Sequence, residues 1–490
     1  MKKNEIIEKD IFKDRLPEGV ITICQTLKQN GFEAYLVGGA IRDILYFKDF
    51  DRLSELMEFD FATDATPKEV MQIFNRKKLF TVPTGLKHGT VTVVINGVNY
   101  EITTYRVDGK YSDGRRPDSI SYSKSIYEDL SRRDFTINAL AYDVIEKKLL
   151  DPFNGLSDLK KKIIRTVGNP VERFSEDGLR PVRACRFSAY LNFKIEKETF
   201  EAISATLDII QKVSTERIRD EFFKLMKSDK PSIGIENIRK SGILNIFIPE
   251  LLEGFEVEQN EFHRYDVYTH NILACDYASK EFPLVRFAAL LHDLGKPRSK
   301  DFALKQGNGN VFYNHEIIGA KMAWKILKRL KFSNHDREYV LRLIRMHMFY
   351  YTDDWTDGAV RRFLRKIDGD MEFLEALFEL RKADRVASGM KKGEGAVLER
   401  FKKRIEKIIE QDNAFKVTDL DINGNIIMEH FSLKAGPVIG QILEFMLETV
   451  IDYPELNNRE DLLKIGEKFV SENKNKLTKK KNNDILSVEK

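Results

Sequence analysis

Gly31-Phe32-Glu33-Ala34-Tyr35-Leu36-Val37-Gly38 runs directly into Gly39-Ala40-Ile41-Arg42-Asp43. The first part reads as a strand, the two glycines as a tight turn, and the rest as the opening of a helix. Working outward, Phe59–Thr63 reads as another strand. Residues 91–95 and 100–105 flank Asn96-Gly97, a dipeptide that suits a two-residue hairpin turn. From about Leu156 onward the period changes: residues 174–191, Thr215–Met226 and residues 233–242 space their apolar side chains by three and four. Strands first and helices after imply an α/β or α+β head on a helical body.

The chain has 490 residues, more than a single hydrophobic core can serve. Hydrophobic residues make up 42% and charged residues 32%, which suits a globular chain with a charged surface. No apolar run approaches the ~18 residues of a membrane span, and the first residues lack the apolar centre of a secretory signal. The three cysteines, Cys24, Cys185 and Cys275, are far apart and odd in number. That argues against a disulfide framework or a cysteine zinc site and fits a reducing cytoplasm. The net charge of +4 does not announce a nucleic-acid binder. Basic residues gather locally, at 160–165, 180–186, 325–331 and 474–481, although any one such run is ordinarily a solvated helix face.

Chemistry-bearing residues recur along the first third. The glycine pair lets the backbone approach a phosphate at a helix start, and Arg42, one turn in, can reach the same anion. Glu58 and Asp60 are two apart on a strand, so their carboxylates share a face. Such a pair can hold two magnesium ions that activate a primer hydroxyl and steady a triphosphate. Glu101, on a neighbouring strand, is a candidate third carboxylate. Arg133, in Arg132-Arg133-Asp134-Phe135-Thr136-Ile137-Asn138, can pair bidentately with triphosphate oxygens. Glu176-Asp177-Gly178-Leu179-Arg180-Pro181-Val182-Arg183-Ala184-Cys185-Arg186 spaces Asp177, Arg180 and Arg183 by three, which predicts one helical face. A carboxylate beside an arginine fork can hydrogen-bond a nucleobase edge. Taken singly, each feature has a plainer reading as a turn, a solvated acidic pair or a helical salt bridge.

In this order the features resemble the class II, bacterial-type CCA-adding tRNA nucleotidyltransferases of the poly(A) polymerase/tRNA nucleotidyltransferase family. The resemblance runs from about Gly31 to Phe255 and resumes near the C-terminus. It implies a polymerase-β-like head on a helical neck, body and tail, an α+β class overall. It implies magnesium-dependent addition of C, C and A to tRNA from CTP and ATP. Carried onto this chain, it implies nucleotide contacts at Gly38, Gly39 and Arg42, metal ligation by Glu58 and Asp60 with Glu101 beside them, and triphosphate binding by Arg133. It gives Asp177, Arg180, Arg183 and Arg186 base-reading and phosphate-binding roles. Two departures stand out: Glu58 replaces the usual aspartate, and residues 44–57 form a longer segment than usual. Thr84-Gly85-Leu86-Lys87-His88-Gly89-Thr90 and residues 105–117 resemble the CCA-adding branch more than the poly(A) polymerases. An A-adding or poly(A)-making variant, or a phosphohydrolase with an inactive RNA-binding head, remain the alternatives.

A second constellation follows. Of eight histidines, His270, His292 (with Asp293), His315 and His347 form a series that Asp384 completes. Residues 285–291 read as a buried helix delivering His292 and Asp293, stopped by Gly295-Lys296-Pro297. Imidazole and carboxylate suit a divalent transition metal, or magnesium. The pattern resembles the HD phosphohydrolase superfamily over residues 262–388. That implies one metal on His270, His292, Asp293 and Asp384, with His315 and His347 on a second metal or the scissile phosphate, and Lys296 on a phosphate. Some CCA-adding enzymes carry such a domain and hydrolyse 2′,3′-cyclic or terminal phosphates, so the resemblance implies a companion activity on damaged RNA ends.

The expected division is a helical N-terminal extension (1–21), the nucleotidyltransferase head (22–155), a helical neck and body (156–258), an all-α HD domain (259–395), a helical tRNA-binding tail (396–471) and a disordered basic tail (472–490). The expected state is a cytoplasmic monomer or homodimer without a membrane partner.

Overall fold

The computed structural model describes residues 5–8, 12, 16–47, 58–86, 89–109, 120–259, 263–305, 312–389, 395–411 and 417–485. Residues 48–57 of the longer 44–57 segment, Lys87 and His88, and residues 110–117 of the 105–117 stretch lie outside them. The chain forms two compact units, Met1–Asn260 with Tyr265–Leu341, and Glu261–Arg264 with Arg342–Lys490.

In the first unit one sheet of eight strands carries the head. Its order is Glu5–Glu8, Lys148–Asp151, Ala141–Asp143, Ala34–Val37, Phe59–Thr63, Val98–Thr104, Thr90–Ile95 and Phe80–Gly85. Phe59–Thr63 runs parallel to Val98–Thr104, and the other neighbours are antiparallel. The hairpin turn forms as its residues require: Asn96 and Gly97 have φ of 51° and 80°, and Ile95 pairs with Val98. Side chains of Phe61, Ile102 and Tyr142 on one face of the sheet pack with Ile23, Ile41 and Phe74 from the helices Glu18–Gln29, Gly39–Tyr46 and Pro67–Arg76. Residues 106–108 and 120–122 form a small separate hairpin at the foot of the 105–117 stretch.

Three expectations are corrected. The N-terminal extension contains a strand, Glu5–Glu8, added in register to Lys148–Asp151, because an open sheet edge is satisfied by another backbone. The helix drawn through 174–191 is two helices, Pro170–Glu176 and Leu179–Leu191. The chain cannot continue helically at Asp177, whose backbone is extended at φ −143°. Gly178 is also pressed so close to Ile209 O that an added Cβ would lie 2.7 Å from it. Finally, residues 472–485 are helical, as the end of Arg459–Ile485, in keeping with the favourable helix propensity of their lysines.

Apart from a short parallel pair, Ile163–Ile164 with Lys194–Ile195, the rest of the first unit is mainly helical, including Thr215–Met226, Pro231–Lys240, Val267–Tyr277, Pro283–Leu291 and His315–Arg329. In the second unit, Phe401 stacks on Tyr351 at 3.9 Å among Phe349, Trp355, Phe363 and Phe378. A further core there gathers Ile427, Ile442, Met446, Leu447 and Leu462. No helix among the described residues is long and apolar enough to cross a membrane.

Candidate functional site

Strand pairing builds the first site. Val37 lies opposite Asp60, and Asp60 lies opposite Glu101. Gly38, immediately after Val37, takes φ 79° and caps the helix Gly39–Tyr46. A Cβ on Gly38 would fall 3.0 Å from Arg133 Nη1 and 3.4 Å from Asp60 Oδ2, so these two side chains meet over a bare backbone. Burial pushes the Asp60 carboxyl up to about 6; Arg133 opposes the shift, while Glu101 and then Glu58 add to it. Glu58 and Glu101 are themselves exposed. Asp60 thus has two carboxylates and one guanidinium in electrostatic reach, a group short of positive charge that suits a hard divalent cation. Arg133 is only loosely held: Nη2 stands 3.5 Å from Asp129, and Nε is buried with no hydrogen-bond partner.

Arg42 is buried, and each of its three guanidinium nitrogens donates a hydrogen bond. Its guanidinium donates to both Asp43 oxygens at 2.7 and 2.8 Å and to Asn138 Oδ1 at 2.6 Å. Asn138 donates in turn to Asp134, which also accepts Nε and Nη2 of Arg183 at 2.9 and 2.7 Å. Burial alone would push the Asp134 carboxyl up, but Arg183 and Asn138 hold it well below the usual carboxylate range. Arg186 pairs with Glu221 at 2.6 Å. The guanidiniums of Arg42, Arg183 and Arg186 surround the Phe187 ring at 4.8, 5.3 and 4.0 Å. This cationic platform joins the glycine-turn helix to the helix Leu179–Leu191.

The expected shared face of Asp177, Arg180 and Arg183 does not form, because Asp177 precedes the helix. Arg180 reaches back, donating to Arg173 O at 2.9 Å, to Arg132 O at 3.0 Å and to Glu176. Asp177 accepts Leu179 N and, from 40 residues along, both terminal nitrogens of Arg217 at 3.1 and 2.8 Å. Arg217, Glu221 and Phe187 were not singled out in the sequence, since their partners are set by helix packing rather than by spacing. Asn138 stood inside the quoted motif without a role.

The second constellation is also built as a site. The helix Pro283–Leu291 ends at His292, and Asp293 follows; both are buried. Asp293 Oδ2 lies 3.4 Å from His270 Nε2 and 3.2 Å from His292 Nε2, and Oδ1 lies 3.3 Å from His315 Nε2. The Nε2 atoms of His270 and His292 are 3.2 Å apart. His292 Nδ1 and His315 Nδ1 each contact a backbone carbonyl, Ala289 O and Phe312 O, at 2.7 Å. Donation there leaves each Nε2 lone pair toward the carboxylate, the arrangement of metal-binding imidazoles. His270, His292 and Asp293 are close enough to hold one ion, and nitrogen and oxygen donors of this kind fit a transition metal. Burial opposes ionisation of Asp293, yet His292 and Lys296 hold its carboxyl well below the usual range. Lys296 donates to Asp293 Oδ2 at 2.5 Å and to Gln259 at 2.6 Å, so it already sits beside the proposed ligands. His347 and Asp384 belong to the second unit. There His347 is buried with Nδ1 2.6 Å from Ile344 O, and Asp384 lies 3.7 Å from Arg381.

Comparison with known proteins covers both constellations. The family described as "Poly A polymerase head domain" matches residues 34–165. "Probable RNA and SrmB- binding site of polymerase A" matches 192–254, and "HD domain" matches 268–389. The CCA-adding enzyme of Geobacillus sp. is 33% identical over 439 residues, covering 90% of this chain and 93% of that protein. The CCA-adding enzyme of Streptococcus suis is 31% identical over 471 residues, 94% and 98% of the two chains. The crystal structure of the Bacillus stearothermophilus CCA-adding enzyme in complex with CTP superposes with a TM-score of 0.67 at 25% identity, covering 95% of this chain and 100% of that one. A polymerase-type head, a meeting of acids and arginine at a glycine turn, and near-complete coverage by these relatives agree: the chain belongs to the CCA-adding enzyme family.

Proposed function

We infer that this chain extends the 3′ end of tRNA with C, C and A, taking CTP and ATP without a template strand. The observation that carries the reading is the meeting of Asp60 and Arg133 at Gly38, with Glu101 opposite Asp60 in the sheet. Gly38 and Gly39 admit the triphosphate to the backbone and to the first N–H groups of the following helix. Arg133 pairs with its oxygens. Arg42, Arg183 and Arg186 supply the positive field around Phe187. Asp177 and Arg180 read the base edge. Glu58, Asp60 and Glu101 would hold magnesium, which lends positive charge to the primer hydroxyl and the triphosphate when bound. A purified protein that incorporates CTP and ATP into tRNA only with Mg²⁺, and loses this in Asp60→Ala, supports the reading. Incorporation that survives Asp60→Ala would sink it.

For the HD segment the proposal is a phosphoesterase acting on 2′,3′-cyclic or terminal phosphates of RNA ends. His270, His292 and Asp293 would hold a divalent metal, with His315 on a second metal or the scissile phosphate and Lys296 receiving the phosphate. The bound metal supplies Lewis acidity toward water and the phosphoester. Support comes from three Nε2 atoms directed at one buried carboxylate. Hydrolysis of 2′,3′-cyclic AMP that needs added Mn²⁺ or Ni²⁺ and vanishes in Asp293→Asn is the expected result; equal turnover by that variant would contradict it. The protein is proposed to work in the cytoplasm, as a monomer or homodimer.

A further inference from the structure

We propose that Arg217 is a specificity-determining positioning residue, which sets how Asp177 presents its carboxylate to the incoming base. The proposal rests on the reading in which Asp177 and Arg180 face that base. Asp177 sits in the break between two helices with extended backbone, so no helix fixes its side chain. What fixes it is Arg217, reaching across from Thr215–Met226. Nη1 donates to Oδ1 at 3.1 Å and Nη2 to Oδ2 at 2.8 Å. Leu179 N donates to Oδ1 at 3.0 Å.

A carboxylate has about four acceptor positions, two on each oxygen. Both on Oδ1 are used, and one of those on Oδ2. A single acceptor position remains, in an orientation locked by the arginine fork. Arg180, next to it, gives donors to Arg173 O, Glu176 and Arg132 O and keeps two of its five N–H groups for a ligand. The pair therefore offers one acceptor beside donors. On their pairing edges, cytosine and adenine both present an amino donor beside a ring-nitrogen acceptor, the complement of that arrangement. Uracil and guanine present a carbonyl beside an N–H, and would set lone pair against lone pair. If Arg217 is removed, only the Leu179 N–H still holds the carboxylate; it can turn about that bond and offer further acceptor positions, and the choice of amino over carbonyl weakens.

The test is single-nucleotide extension of tRNA transcripts ending in C and in CC, with kcat/KM measured separately for CTP, ATP, UTP and GTP. The proteins are wild type, Arg217→Ala, Arg217→Lys, Asp177→Ala and the double variant Asp177→Ala with Arg217→Ala. Arg217→Lys keeps the charge and removes the fork, so it tests the proposal even if the alanine variant folds poorly. The expected result is a fall of about tenfold in the preference for CTP over UTP and ATP over GTP in Arg217→Ala. Arg217→Lys should show a smaller fall in the same ratios, and the double variant with Asp177→Ala no further loss. An equal fall for all four nucleotides, or unchanged ratios in both Arg217 variants, overturns the proposal. If Asp177→Ala itself keeps full discrimination, the base-reading role of Asp177 fails first. If only Asp177→Ala loses it, Arg217 alone is acquitted of the role.

Discussion

Asp60 and Gly38 show how little space the proposed transfer site has to spare. An alanine at 38 would need a left-handed backbone and would press its methyl against Arg133 and Asp60. Gly38→Ala is expected to lower kcat/KM for CTP on the order of 100-fold, with little change in tRNA affinity measured by filter binding. Asp134 makes a separate prediction about acid. Its folded pKa is depressed, so its contribution to stability is present above the unfolded carboxylate pKa of about 3.9 and is lost as pH falls through the lower folded value. Melting followed between pH 6 and pH 3 should fall more steeply in wild type than in Asp134→Asn, which should start about 2 kcal/mol less stable at pH 7. At this scale the sequence was informative about which residue types gather and poor about their partners. Glycines, acids and arginines stood out in their motifs. The partners Arg217 and Glu221 lie 40 and 35 residues from Asp177 and Arg186, a pairing that only the packed helices decide.

The helical break at Asp177-Gly178 is the element on which the proposed base-reading site turns. Apolar spacing of three on either side, Val171 to Phe174 and Leu179 to Val182, makes the sequence read as one helix, although Phe174 and Leu179 are five apart. The physical stop is the close approach of Gly178 to Ile209 O and to Val213. Gly178→Ala should cost about 1–3 kcal/mol by overpacking and should shift Asp177 relative to Arg180. Thermal melting checks the first effect, and a reduced preference for ATP over GTP checks the second. The strands tell the opposite story. Phe59–Thr63 is legible to the residue, because alternation and β-branched or aromatic side chains agree with its place in the sheet. Gly295 plays a comparable part in the HD segment, where an added Cβ would stand 2.6 Å from Gly319 N. The turn that presents His292 and Asp293 can therefore pack against His315–Arg329 only as glycine.

Across the whole chain, the order of strands and helices was enough to foresee a mixed head on a helical body. The edge strand Glu5–Glu8 was not, since four residues carry too little periodicity to separate strand from helix. The two constellations lie on different elements and are expected to fail independently. His292→Ala should abolish metal-dependent phosphoester hydrolysis, lower Mn²⁺ affinity in calorimetry at least about tenfold, and leave tRNA extension intact. The most direct test of the central claim uses tRNA transcripts ending before CCA, after C and after CC, incubated with Mg²⁺, CTP and ATP and resolved by length. The account predicts that all three are completed to CCA and then stop, and that Asp60→Ala reduces completion roughly 1,000-fold or more. Extension of the CC-ended transcript alone, open-ended A tails, or no extension of any transcript would contradict it.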